Sequence, residues 1–264
     1  MTEKENGDRE QDTRRFGARM ARIFASGAKV AAVPDGMRVY AVGDIHGCAV
    51  ELDRLTAAIV EDSTDRDGER HLVYLGDYVD RGPDSKGVVD RLLNPPVGFI
   101  AHYLRGNHDQ ALLDFLADPN FYVVWRDFGA RQTLASYGVV PPRFEDAAAF
   151  EEARDRFLAV LPQEHLDFFE RLDLSERIGD YFFVHAGVRP GVALDQQSAE
   201  DLLWVRDDFL MSSVNFGVVV VHGHTPTAAP VRRRNRIGVD TGAFATGRLT
   251  AAVLEGTTCR FLAS

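Results

Sequence analysis

Cysteine is nearly missing from this chain: its 264 residues include only Cys48 and Cys259. Two thiols cannot build a disulfide framework or a thiolate zinc site, so a reducing, cytoplasmic setting is the default expectation. Long apolar runs are missing as well. No stretch approaches the roughly 18 apolar residues of a spanning helix, and no transmembrane segment is expected. An excess of positive charge is also lacking. Formal net charge is −10, which argues against a protein held to nucleic acid by phosphate contacts. A phosphorylated ligand remains admissible, because bound divalent cations invert a local field. There is no internal repeat and no low-complexity tract. What remains is 45% apolar residues, enough for a substantial core in one large domain or two small ones.

Residues 1–36 differ in texture from the rest. Met1 to Glu10 is polar and expected to be disordered. Phe16, Met20, Ile23 and Phe24 then recur at helical spacing among Arg14, Arg15, Arg19 and Arg22. That pattern predicts a basic amphipathic helix lying on the domain, in preference to a membrane surface. Arg14-Arg15-Phe16 is a faint match to a twin-arginine export signal, but Arg22 and Lys29 interrupt the apolar stretch such a signal needs. Pro34-Asp35-Gly36 marks the boundary with the main domain, 37–264.

That domain is organised around residues 43–109. Three loops, Gly43-Asp44-Ile45-His46-Gly47, Gly76 to Gly82 and Gly106-Asn107-His108-Asp109, each follow a short apolar run. Leu52, Leu55 and Ile59 recur at helical spacing after the first, as do Val88, Val89, Leu92 and Leu93 after the second and Leu112, Leu113 and Leu116 after the third. The alternation predicts an α/β fold whose first half is βαβαβ, with parallel strands and helices packed on them. Residues 120–178 read as a helical insertion beside the site. Late strands 181–184, 218–221, 237–239, 249–254 and 259–262 have short links, so the second half is expected to be antiparallel or mixed.

Asp44 and His46 are two apart, so on an extended chain both leave the same face and one metal can take both. Gly43 and Gly47 permit close backbone approach. An isolated Asp-x-His is a weak signal, but Asp77, Asn107, His185 and His224 also follow apolar strands, each beside a glycine. Mixed imidazole and oxygen donors suit manganese, iron or zinc better than calcium or magnesium. Two such ions about 3.5–4 Å apart can bridge a water and bring its pKa towards roughly 7, giving a hydroxide nucleophile at neutral pH.

In order along 37–264, the motifs Gly43–Gly47, Gly76–Gly82, Gly106–Asp109, His185-Ala186-Gly187 and Gly223-His224-Thr225-Pro226 resemble those of the phosphoprotein-phosphatase family of calcineurin-like metallophosphoesterases. Leu203-Trp204-Val205-Arg206 and Asp240-Thr241-Gly242-Ala243 resemble its bacterial and bacteriophage-lambda type serine/threonine phosphatases. The resemblance implies a β-sandwich of two mixed sheets flanked by helices, and two divalent metal ions, manganese foremost. One ion would be held by Asp44, His46 and Asp77, the other by Asp77, Asn107, His185 and His224, with Asp77 as the bridge. It implies His108 as general acid, Asp80 orienting its ring, and Arg81, Arg206 and Asn107 at the substrate phosphate, a task suited to the guanidinium fork.

The implied activity is metal-dependent hydrolysis of a phosphomonoester, with a phosphoserine or phosphothreonine protein as the favoured partner. Symmetrical cleavage of dinucleoside tetraphosphates is the alternative. Asp109 stands where protein phosphatases commonly carry glutamate and bears on that choice. A nuclease is disfavoured by the acidic charge and by Pro226, which replaces a further histidine of related phosphodiesterases. A binding module that lost its chemistry should have lost ligands, and every ligand position here is filled. His222 is read as a supporting residue, and His71, His102 and His165 as structural. Arg232 to Arg236 is read as a solvated hairpin. Asp240-Thr241-Gly242 also matches the aspartic-protease triplet, a reading that leaves the histidines unexplained.

Overall fold

Strand β1 (Met37–Val42) is buried on both faces, which places it in the middle of a layered fold. The computed structural model describes residues 30–64, 67–143 and 146–264; the polar tail and basic helix expected within 1–29 lie outside these. In chain order β1 is followed by α1 (Ala49–Asp62), β2 (Glu69–Tyr74), α2 (Ser85–Leu92), β3 (Ile100–Tyr103) and α3 (Asn107–Ala117). Four more helices come next: α4 (Tyr122–Trp125), α5 (Ala130–Ser136), α6 (Ala147–Val160) and α7 (Gln163–Glu170). Then come β4 (Ser175–Ile178), β5 (Tyr181–Val184), α8 (Ala199–Trp204), α9 (Asp207–Leu210), β6 (Val219–His222), β7 (Val231–Arg232) and β8 (Arg236–Gly238). The chain closes with α10 (Ala243–Thr246), β9 (Thr250–Glu255) and β10 (Thr258–Ala263).

These strands form two five-stranded mixed sheets, ordered β10-β9-β1-β2-β3 and β4-β5-β6-β8-β7. In the first, β1, β2 and β3 run parallel as expected, and the β9–β10 hairpin returns to pair antiparallel with β1. In the second, β5, β6 and β8 are parallel, and only the edge strands β4 and β7 are antiparallel. The late strands thus do not continue one sheet. The β5–β6 link carries α8 and α9 as a crossover, which parallel pairing requires. The arginine run forms the β7–β8 turn, where the Arg233 amide donates to the Arg236 carbonyl at 2.8 Å. The expected helical insertion ends sooner than 178, because β4 starts at Ser175.

Strand periodicity sorts the core. Val39, Ala41 and Val73 face Tyr181, Phe183, Val221 and Ile237 across the gap between the sheets, while Tyr40, Val42, Leu72 and Tyr74 face the helices on the outer side. Phe182 and Val184 cover the outer face of the second sheet with Leu202, Val205 and Phe209. His165 ties the insertion down: its Nδ1 lies 2.8 Å from the Tyr137 hydroxyl and its Nε2 3.0 Å from Asp90. His71 and His102 sit away from the loops described below, paired at 2.9 Å between β2 and β3. Among the described residues no helix is long and apolar enough to cross a membrane.

Phe183 is wholly buried between the sheets, so Phe183→Ala should lose about 3–5 kcal/mol of unfolding free energy in urea titration. Val97→Ala, at a fully exposed side chain, should change it by less than about 0.5 kcal/mol.

Candidate dinuclear metal centre

The six parallel strands each end in a loop that carries a polar residue, and those residues meet. His185 Nε2 lies 2.9 Å from Asn107 Oδ1, 3.1 Å from His224 Nδ1 and 3.5 Å from Asp77 Oδ2. The same Asp77 oxygen is 3.5 Å from His46 Nε2 and 3.9 Å from His108 Nε2. Asp44 accepts from the His224 amide at 3.0 Å, His108 Nδ1 is 2.8 Å from Asp80, and Arg81 and Arg206 reach His108 and His224 at 3.1 Å each. All ten residues expected from the sequence are therefore linked in one cluster. Asp77 is common to two groups whose donor atoms lie within 4.8 Å of one another: His46, Asp77 and His108, and Asp77, His185 and His224. Asp44 belongs to neither group; it lines the centre from the His224 side. His222 is buried outside it, with its ring edge-on to Phe209.

The backbone that presents these groups is unusual. Among the described residues five non-glycine positions have positive φ: His46 (47°), Asp77 (54°), Asp80 (71°), Arg81 (65°) and His224 (64°). Every one is a site residue, and such conformations persist only where the surroundings over-determine them. His46 is therefore not delivered by an extended strand, as its spacing from Asp44 had suggested. The Ile45 and His46 amides instead both donate to the Asp77 carbonyl, at 3.1 and 2.8 Å, and lock the first loop onto the second. Asp109 locks the third: its carboxylate accepts from the amides of Gly106, Asp77 and Tyr78. Gly223 has no spare volume, since a Cβ there would sit 2.0 Å from Asp44 Oδ1.

Burial drives the electrostatics. It pushes the carboxyls of Asp44 and Asp77 well above their ordinary range, with repulsion from Asp240 adding at Asp44 and from Asp109 at Asp77. It also pushes His185 down to about 3 and His224 to about 2, so both imidazoles are neutral. The outer nitrogens of two rings are committed: His185 Nδ1 is 2.9 Å from the Leu75 carbonyl and His46 Nδ1 is 2.9 Å from that of Val79. Each ring therefore donates outward and turns a bare Nε2 lone pair to the centre. Lone pairs on Asn107, His185, His46 and Asp77 crowd a space where few protons can satisfy them, and divalent cations fit that donor set.

Three supporting residues went unnoticed in the sequence. Asp80 accepts from the Trp125 indole at 2.9 Å and the Thr133 hydroxyl at 2.6 Å, both from the helical insertion, and Asp240 crowds Asp44. Trp125 and Thr133 lie far along the chain from Asp80 and carry no motif. Asp240 lay in a quoted motif but had no role there.

Residues 37–251 match the family described as calcineurin-like phosphoesterase. The chain belongs to that family. It is a metallophosphoesterase with the family's sandwich of two mixed sheets. A relative from Geobacillus thermodenitrificans, named bis(5'-nucleosyl)-tetraphosphatase PrpE [asymmetrical], is 29% identical over 81% of this chain and 89% of its own. One of the same name from Bacillus cereus strain AH820 is 25% identical over the same shares. A solved structure provisionally described as a diadenosine tetraphosphatase shares the fold with a TM-score of 0.60 at 22% identity, covering 90% of this chain and 95% of that one. A cold-active protein tyrosine phosphatase shares it with a TM-score of 0.55 at 16% identity, covering 89% and 83%.

Three outcomes follow from this geometry. Chelation should lower Tm by roughly 5–10 °C, and added Mn²⁺ should restore it in differential scanning calorimetry. The sign against pH is fixed by the shifts. Raised carboxyls weaken the cation-free fold as pH climbs above the ordinary carboxylate range towards their folded values, and cation binding needs them ionised and the imidazoles neutral. The Mn²⁺-induced rise in Tm should therefore be larger near about pH 8 than near about pH 5.5. Gly223→Ala, which drives a methyl into Asp44, should abolish that rise while far-ultraviolet circular dichroism stays native.

Proposed function

We propose that this chain is a dinuclear-metal phosphoesterase whose substrate is a dinucleoside tetraphosphate. The observation that carries the reaction class is the Asp77 carboxylate, common to both donor groups. The names of the relatives that match across 89% of their length support the substrate. Two divalent ions, manganese foremost with iron or zinc as alternatives, would be held by Asp44, His46 and Asp77 and by Asp77, Asn107, His185 and His224. They would supply an activated water at neutral pH and positive charge opposite the phosphate.

The chain's own groups do the rest. Arg81 and Arg206 lie against His108 and His224 with their guanidinium groups at the mouth, placed to take phosphate oxygens in bidentate fashion. Asp80 holds the His108 ring by Nδ1. Burial pushes the Asp80 carboxyl up to about 8, but the donors from Thr133, Trp125 and His108 are the pattern of a carboxylate, and that count outweighs burial. His108 is pushed down to about 3 by burial and by the positive charge of Arg81 and Arg206, and its Nε2 accepts from Arg81. A phosphate that draws the guanidinium away frees Nε2 to carry a proton for the leaving oxygen, with Asp80 stabilising the imidazolium.

A second reading, hydrolysis of phosphoserine or phosphothreonine in proteins, is favoured by the Leu203–Arg206 segment and by the exposure of Arg206 at the mouth. Cys48 and Cys259 are unpaired, which suits a cytoplasmic location.

Mn²⁺-loaded protein should cleave diadenosine tetraphosphate faster than a phosphothreonine peptide. Products of ATP and AMP would match the relatives' asymmetrical designation, and two ADP the symmetrical alternative. Free phosphate from the peptide alone would overturn the substrate reading and leave the phosphoesterase intact. His108→Asn should keep its metal content by elemental analysis and lose about 10²–10⁴-fold in turnover on substrates with poor leaving groups.

A further inference from the structure

Beside the donor cluster the site carries ring surfaces that the chemistry above does not use. Among the described residues Trp204 and Phe244 are the two large aromatic side chains left exposed, at 39% and 40%; the other exposed apolar side chains are aliphatic. Both sit at this site. Phe244 meets His46 edge-on at 5.4 Å and has the Arg81 guanidinium over its ring at 4.8 Å. Trp204 stands 6.3 Å from His224 and leans on Phe128 at 5.6 Å, and Phe128 itself lies 5.3 Å from His108. His46 and His224 belong to different donor groups, so each half of the centre has one exposed ring and, beside its imidazoles, one arginine.

An aromatic face left in water gains by stacking on another π-system, and a neighbouring guanidinium favours an anion attached to it. Two such faces flanking one phosphate site call for a ligand with an anionic middle and a planar unsaturated group at each end. We infer that Trp204 and Phe244 are stacking platforms for the two nucleobases of a dinucleoside polyphosphate. This rests on the dinucleoside reading above and adds how the substrate is chosen. Stacking is indifferent to base identity, so the platforms select for the presence of bases and accept guanine as readily as adenine.

The test compares diadenosine tetraphosphate with tripolyphosphate, which has phosphoanhydride bonds and no base, on the Mn²⁺-loaded full chain. In Trp204→Ala and in Phe244→Ala the ratio of kcat/KM for the dinucleotide to that for tripolyphosphate should fall about tenfold each, mainly through KM. Trp204→Phe and Phe244→Tyr should recover most of it. An unchanged ratio, or conservative variants no better than alanine, overturns the inference even if the dinucleotide is cleaved. Wild-type protein that hydrolyses a phosphothreonine peptide and ignores the dinucleotide overturns the underlying reading instead. A readout independent of turnover uses the His108→Asn background. Trp125 is buried and Trp204 exposed, so diadenosine tetraphosphate should quench tryptophan emission and tripolyphosphate should not; equal quenching by both would count against stacking.

Discussion

The cost of burying carboxylates beside one another governs this molecule. Asp44, Asp77, Asp109 and Asp240 are all buried, and each is pushed towards its protonated form. Backbone amides offset part of the penalty, at Asp109 three amides from two loops and at Asp44 that of His224. Asp77, like Asp44, has a single amide donor, that of His108, so much of the penalty stays with it. A residue with that imbalance, facing bare imidazole nitrogens, is built for cations. The rest of the fold can be read as what holds it there.

The scaffold meets that demand by concentrating strain in one place. Left-handed backbone at His46, Asp77, Asp80, Arg81 and His224 presents five polar side chains from three loops, and strands buried on both faces hold the loop ends. The helical insertion contributes more than cover. Through Trp125 and Thr133 it fixes the Asp80 oxygens, and through Phe128 it lays a ring on His108, so His108 is aligned by a segment outside the three glycine-rich loops.

Asp109 illustrates what a single position can and cannot say. Read as a letter, it was expected to bear on substrate class. In the fold its oxygens are consumed by the amides of Gly106, Asp77 and Tyr78, which makes it a clamp between the second and third loops. Trp204 makes the converse point: in the sequence it was one letter of a motif with no role of its own, and in the fold its exposed ring stands beside His224.

The candidate donor residues, their order and the alternation of strand and helix were written in the local sequence, because glycine-bounded polar triplets after apolar runs declare both the strand end and a candidate ligand. That set of groups was enough by itself to point to the calcineurin-like phosphoesterase family. Only the tertiary structure decided which donors share a centre, that β5, β6 and β8 run parallel in a second sheet, and that Trp125, Thr133 and Asp240 support the site. These are contacts between positions far apart in the chain. No local period or spacing encodes such contacts; they follow from burying two sheet faces against each other, which brings the loop ends to one edge.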